Sequence, residues 1–220
     1  MISPTGAPLD SFSAVFPGTA ESPLQCYIVA GIILSNVCHL LSVLVLYRLL
    51  ILVLGTRQQR HVAFVASVLH ILTPASLFMS APYAEALFSL LNMTGMLCYV
   101  HSKRTAQCGY TTVQEDVYKL SSGALFASAT LIRSNGLLSG LILLCDAIGY
   151  LSCIFSWRLD YSDVRRLLVT SLAGLFVACG FAGPQYVAYQ QFCGASNLDR
   201  RLWCDRNIPS IYSWVQSHYW

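Results

Sequence analysis

Charged side chains are scarce in this chain: they make up 10% of its 220 residues, whereas an ordinary soluble domain has about 25%. The 13 basic and 10 acidic residues nearly balance, and a formal net charge of +3 does not indicate a nucleic-acid partner. So few charges cannot cover the surface of a soluble protein in which 55% of the residues are hydrophobic. The composition therefore excludes soluble enzymes, disordered chains and nucleic-acid-binding proteins, and it predicts a polytopic membrane protein.

Several short chemical motifs are also missing. The sequence contains no Gly-rich phosphate loop, no nucleophile elbow and no kinase signature. The nine cysteines form no Cys-x-x-Cys pair and no Cys/His ligand spacing, so we expect neither a metal nor another cofactor. Most of these cysteines lie in or beside apolar runs, which is not the pattern of a secreted disulfide framework.

Four long apolar stretches dominate the chain, at residues 24–54, 62–101, 120–157 and 167–198. A helix needs about 20 apolar residues to cross about 30 Å of hydrocarbon, so the second and third stretches are too long for one helix each. Pro74 and Pro82 divide the second stretch near residues 80–83, and the turn-prone residues 133–136 divide the third. A kink is expected at Gly183 and Pro184 in the fourth. We predict an all-α membrane helix bundle of about six segments, some of them short or broken by proline.

The chain divides into three parts. Residues 1–23 contain four of the eight prolines and have neither the basic start nor the apolar stretch of a signal peptide, so they are interpreted as a Pro-rich tail or the remnant of a lumenal loop. Residues 24–198 form the transmembrane helical region. Residues 199–220, rich in Trp and Tyr, form an aromatic segment that we expect on the lumenal side.

Basic residues orient these segments. If each break within a stretch is a turn, the three connections between stretches share one side of the membrane, and the positive-inside rule makes that side cytosolic. The turns at 80–83 and 133–136, and the C-terminal segment, then face the lumen. Nine of the 13 basic residues lie on or near the cytosolic side: Arg48, Arg57, Arg60, Lys103, Arg104, Lys119, Arg158, Arg165 and Arg166.

Two ionisable residues at the lumenal turns are candidates for a site. Glu85 is either an acid that favours a helix N-terminus or a polar group that lines a cavity at membrane depth. Arg133 either extends to the lipid headgroups or makes bidentate bonds to a phosphate. Ser134 and Asn135 add hydrogen-bonding groups beside it. Asp146, in the following helix, is either a buried structural acid or a helix-end residue.

The C-terminal segment leaves two questions open. Its aromatic residues suit a membrane-interface belt, and they equally suit a cover over a sugar- or lipid-binding cavity. In such a cavity, Gln216 and His218 are weaker candidates for contacts with the substrate. Cys193 and Cys204 are separated by ten residues, so that a disulfide and two free thiols are both open interpretations.

Three motifs, in this order along the chain, resemble the GPI mannosyltransferase 2 family. They are PASLFMSAPYAEALF at residues 74–88, LIRSNG at residues 131–136, and PSIYSWVQ at residues 209–216 followed by Tyr219 and Trp220. The similarity extends over about residues 24–220. It implies part of a multi-spanning glycosyltransferase of the GT-C type in the endoplasmic reticulum membrane.

The resemblance also implies a reaction. Such an enzyme transfers the second mannose, in α-1,6 linkage and with inversion, from dolichol-phosphate-mannose to a mannosylated GPI-precursor lipid on the lumenal side. Arg133 is then assigned to the phosphate, with Ser134 and Asn135 in support, while Glu85 and Tyr83 contact the acceptor or the cavity. Besides the two substrates and membrane lipids, a small membrane subunit is an expected partner.

The sequence departs from the family pattern at its start. The family's catalytic acid is expected in a lumenal loop before residue 24, and neither Asp10 nor Glu21 lies in the family's acidic motif. The catalytic residue is therefore not assigned, and we expect a truncated form that is inactive by itself. A membrane transporter or a non-catalytic membrane subunit of the endoplasmic reticulum is the alternative, because isolated charges and Pro-broken helices also line transport pathways.

Overall fold

A computed structural model describes residues 23–55, 60–72, 81, 83–108, 112–155, 161–193 and 204. This part of the chain is helical and contains no β-strand, which confirms the predicted all-α class. Its six α-helices are α1 (Pro23–Leu54), α2 (Arg60–Leu72), α3 (Glu85–Cys108), α4 (Thr112–Ile132), α5 (Gly140–Phe155) and α6 (Tyr161–Cys193). A 3₁₀ helix (Ser134–Ser139) joins α4 to α5.

The break predicted at residues 133–136 is confirmed by the 3₁₀ helix, and α3 begins just after the break predicted at 80–83, although α2 already ends at Leu72. The second apolar stretch contains α2 and α3, and the third contains the end of α4, the 3₁₀ helix and α5. The helix α6 continues through Gly183 and Pro184, where the sequence predicts a kink.

Three regions are long and apolar enough to cross a membrane, at Gln25–Leu54, Ser134–Ser152 and Tyr161–Cys193. They support a membrane helix bundle. The helix α2 is apolar but has only 13 residues, and α3 and α4 contain more polar residues, so the total of six segments stays a prediction.

The boundaries of α4 and α6 were wrong in the sequence analysis. The helix α4 begins at Thr112 and α6 at Tyr161, six or more residues before the apolar stretches at 120 and 167. The added turns contain acids on α4 and arginines on α6 that form ion pairs with each other. Because these charges pair between helices, they do not need a solvated loop.

Small residues bring the central helices close together. A Cβ atom added to Gly123 of α4 would lie 2.7 Å from the backbone of Ala173 on α6, and one added to Gly180 of α6 would lie 2.7 Å from the carbonyl oxygen of Ala127. Close backbone approach at small residues is a common way for membrane helices to associate. Phe126, Leu143, Ala173 and Val177 form the buried core between α4, α5 and α6.

Candidate functional site

The antiparallel packing of α3 against α4 creates two polar ends of the bundle. At one, called here the Arg133 end, the first residue of α3, Glu85, meets Arg133, which follows the last residue of α4. At the other, called the Lys119 end, Lys103 near the end of α3 meets Lys119 of α4. The chain therefore places its two predicted lumenal turns together, as the topology requires.

Arg133 is held by backbone and side-chain contacts. Its amide N–H donates to the carbonyl of Ala129 at 2.9 Å, and its own carbonyl accepts from the Gly136 N–H at 2.9 Å. Its guanidinium forms an ion pair with Glu85 through Nη1 and lies 6.0 Å from the centroid of the Phe88 ring. The side chains of Arg133 and Glu85 are 38% and 35% exposed, so the pair is accessible to a ligand.

The 3₁₀ helix after Arg133 is fixed against its neighbours. Gly136 is buried, and a Cβ atom there would lie 2.6 Å from the backbone nitrogen of Thr130, so only glycine fits without a shift of the backbone. Ser139 Oγ donates a 2.6 Å hydrogen bond to Asn92 Oδ1 on α3. These two contacts join the segment to both helices that supply the ion pair.

The positions of the other predicted site residues give less information about a ligand. Ser134 is partly exposed and Asn135 is exposed, both in the first turn of the 3₁₀ helix. Tyr83 lies two residues before Glu85 with 62% of its surface exposed. Gln216 and His218 lie outside the described residues.

Six of the basic residues assigned to the cytosolic connections lie within helices: Arg60, Lys103, Arg104, Lys119, Arg165 and Arg166. Lys119 belongs to α4 and its side chain is only 4% exposed, so its assignment to a connection was wrong. Asp146 of α5 accepts from Lys119 at 2.9 Å and from Lys103 at 2.8 Å, which makes it a structural acid that is only partly buried. The Lys119 ammonium also lies 4.5 Å from the centroid of the Tyr99 ring.

A second charge cluster at the Lys119 end was not predicted. Glu115 of α4 accepts from Arg166 Nε at 2.8 Å and from Arg165 Nη2 at 3.0 Å, and Arg165 also pairs with Asp116. The sequence signal was present, since adjacent acids at the start of one helix face adjacent arginines at the start of another, but no local pattern identifies the partner. These pairs join α4 to α6, and their side chains are less exposed than those of Arg133 and Glu85.

An apolar groove of about 470 Å³ lies between α5 and α6. It begins at Leu137, in the same 3₁₀ helix that follows Arg133, and small residues of α5 and α6 such as Gly140, Ala147, Gly174 and Ala178 line it. A groove of this composition accommodates a hydrocarbon chain. Together with the accessible arginine, it suits a ligand that has both an anionic and an apolar part.

The disulfide left open by the sequence is present. Cys193, the last residue of α6, is bridged to Cys204, with their Cα atoms 5.6 Å apart. Both residues are buried. The bridge fixes residue 204 against the end of α6 that lies on the same side of the bundle as Arg133.

Fold and site together define a polytopic membrane protein with an accessible guanidinium at one end and an apolar groove leading away from it. The comparison with known families is more specific: the chain belongs to the family described as Mannosyltransferase (PIG-V), whose model matches residues 22–220. This confirms the resemblance of the three sequence motifs.

Similar proteins come from fungi and mammals. GPI mannosyltransferase 2 of Aspergillus oryzae is 42% identical over 192 residues, covering 86% of this chain and 44% of its own length. The protein of the same name from Aspergillus fumigatus is 44% identical over 183 residues, covering 82% of this chain and 41% of its own. GPI alpha-1,6-mannosyltransferase 2 of Rattus norvegicus is 32% identical over 221 residues, covering 90% of this chain and 41% of its own.

The chain spans less than half of the length of these curated relatives. No solved structure matches it.

Proposed function

We propose that this protein is a mannosyltransferase of GPI-anchor assembly that adds the second mannose, in α-1,6 linkage, to the precursor lipid. The family match over residues 22–220 is the observation on which this proposal depends. The names of the relatives agree with it, since that of the Rattus norvegicus protein specifies the α-1,6 activity. We further infer dolichol-phosphate-mannose as the donor and the lumenal face of the endoplasmic reticulum membrane as the place of reaction.

Arg133 is the proposed phosphate-binding group. In the transfer, the acceptor hydroxyl attacks C1 of the donor mannose, the C1–O bond to phosphate breaks, and its electron pair remains on the lipid phosphate. A planar guanidinium binds that phosphate through two parallel hydrogen bonds and stabilises the charge that develops on it. Ser134 and Asn135 are close enough in the chain to add hydrogen bonds, and the groove between α5 and α6 suits the donor's hydrocarbon chain.

The acceptor proton requires a base, because a sugar hydroxyl is a poor nucleophile until a positioned group removes its proton. Glu85 is engaged in an ion pair with Arg133, which lowers its suitability for that role. We therefore assign Glu85 to the phosphate site and Tyr83, exposed beside it, to acceptor contacts. The base remains unassigned.

The test is complementation. The protein, expressed from its complete reading frame in cells that lack the second GPI mannosyltransferase, is expected to restore GPI-anchored proteins to the cell surface. Membranes from these cells should transfer mannose from dolichol-phosphate-mannose to the singly mannosylated precursor. Stable expression without either result would contradict the proposal and favour a non-catalytic subunit.

A charge exchange separates the proposed role of Arg133 from a structural one. The double variant Glu85→Arg, Arg133→Glu retains an ion pair between α3 and α4 but moves the guanidinium to the other helix. We expect normal protein levels and a loss of mannose transfer. Full activity in the double variant would show that the pair serves only to join the helices.

A further inference from the structure

Glu85 occupies only part of the hydrogen-bonding capacity of Arg133. The ion pair uses Nη1, and no other described residue accepts a hydrogen bond from Nη2 or Nε. A guanidinium offers donors on two edges, so one edge remains available for a bidentate contact. Within the described part of the chain, the guanidinium is thus half occupied, and a ligand need not displace Glu85 to bind it.

Contacts of the backbone and of the side chain restrict where that guanidinium lies. The backbone of Arg133 is hydrogen-bonded to Ala129 and Gly136, the Phe88 ring lies below the guanidinium carbon, and Glu85 binds one nitrogen. Glu85 belongs to α3 and Arg133 follows α4, so the packing of two helices determines their separation. A ligand phosphate bound to the free edge would therefore lie within a few ångströms of the Glu85 carboxylate.

This proximity has an electrostatic consequence. The pair of Glu85 and Arg133 is neutral overall, so a phosphate at the free edge is attracted by the guanidinium and repelled by the carboxylate. The repulsion grows with the charge of the phosphate. A phosphodiester carries one negative charge, whereas a phosphomonoester carries about 1.5 to 2 at neutral pH.

We propose that Glu85 is a positioning and specificity-determining residue that makes the Arg133 site prefer a lipid phosphodiester to a lipid phosphomonoester. This inference rests on the proposed function, in which the donor is a sugar-lipid phosphodiester and the product is the lipid phosphomonoester. The same repulsion favours release of the product once the sugar has left. Glu85 thereby limits product inhibition without taking part in proton transfer.

The size of the preference follows from Coulomb's law. For a carboxylate about 6 Å from the phosphate in a partly solvated site, with an effective dielectric constant of about 40 to 80, up to one extra charge corresponds to about a two- to tenfold difference in affinity. The wild-type protein should therefore bind the diester more tightly relative to the monoester than a variant that lacks this carboxylate does.

The experiment measures a ratio of two dissociation constants. Purified protein in nanodiscs of neutral lipid is titrated at pH 8 with farnesyl phosphate, a monoester, and with farnesyl methyl phosphate, a diester that has the same hydrocarbon chain. Glu85→Gln removes the charge and preserves the size of the side chain. We expect it to shift the ratio toward the monoester by about two- to tenfold. The ratio is independent of the fraction of protein that is folded.

Two further variants complete the test. Asp163→Asn removes one negative charge from the first turn of α6, at the Lys119 end, and should leave the ratio unchanged. Arg133→Gln should weaken binding of both probes. An unchanged ratio in Glu85→Gln, with binding that still requires Arg133, would overturn this inference and leave the proposed function intact. Failure of the wild type to bind either probe, or binding that survives Arg133→Gln, would overturn this inference together with the assignment of Arg133 to the phosphate.

Discussion

At the scale of single residues, the proposed phosphate-binding role of Arg133 depends on the shape of its side chain as well as its charge. Lysine retains the positive charge but lacks the planar fork that can contact Glu85 and a phosphate simultaneously. The centroid of the Phe88 ring lies 6.0 Å from the guanidinium carbon, at the outer range of a cation–π contact.

We therefore expect Arg133→Lys to lower mannose transfer while the protein remains present. Loss of a charge-assisted contact to the leaving phosphate costs about 2–4 kcal/mol, equivalent to tens- to nearly a thousand-fold in rate. Arg104→Lys is the matched control, because Arg104 is exposed at the opposite end of the bundle. Transfer rates are compared at equal amounts of membrane-inserted protein. Near-normal transfer by Arg133→Lys would exclude Arg133 from the site.

Sequence analysis identified Glu85 and Arg133 as separate candidates but not as partners. Each is a charged residue next to a turn signal within an apolar stretch, which is a local feature and therefore detectable. Their contact depends on the antiparallel packing of α3 and α4. The contacts of Phe88 and of Asn92 with Ser139 are likewise set by packing, and no local pattern predicts them.

At the scale of helices, the turn-forming residues at 133–136 indicated a break correctly, whereas α6 continues through Pro184 and charges were a poor guide to helix ends. Lys119 and Asp146 show why. Each is unfavourable alone in an apolar helix, but together with Lys103 they form a group that joins α3, α4 and α5. Because the partners lie on different helices, this pairing cannot be predicted from the sequence of any one helix.

The two lysines of that group should differ in importance. Asp146→Asn leaves the Lys119 ammonium without its carboxylate at a site where its side chain is 4% exposed, and loss of one partner of a buried pair costs about 3–5 kcal/mol. Lys103→Met should cost about 1 kcal/mol or less, because the Lys103 side chain is 36% exposed and Asp146 keeps Lys119. Thermal unfolding of the purified variants in detergent measures the order. A larger loss in Lys103→Met would contradict this account.

At the scale of the whole molecule, the structure places the Arg133 and Lys119 ends on opposite sides of the bundle but does not by itself assign either to a compartment. The positive-inside rule predicts that the Lys119 end is cytosolic. The proposed reaction requires the same orientation, since the phosphate site must then face the lumen.

Cysteine labelling tests this orientation. Asn135→Cys adds an exposed thiol at the Arg133 end, and Arg104→Cys adds one at the Lys119 end. In sealed microsomes, a membrane-impermeant maleimide should label Arg104→Cys above the wild-type background and should reach Asn135→Cys only after the membrane is permeabilised. Cys204 does not serve for this purpose, because it is bridged to Cys193. Labelling of Asn135→Cys in intact vesicles would reverse the orientation.

The ion pairs between α4 and α6 also bear on how the protein is made. Glu115 and its arginine partners are separated by 50 and 51 residues, so α4 leaves the ribosome well before the arginines exist. Until then, its acids and Lys119 oppose entry into lipid. We expect α4 alone, in a glycosylation-reporter assay, to insert poorly, and α4 followed by α5 and α6 to insert well. Equal insertion in both cases would contradict this order of events. If α4 depends on α6 in this way, the bundle is assembled late and in one step. The helix α4 then stays beside the translocon until α6 has been synthesised.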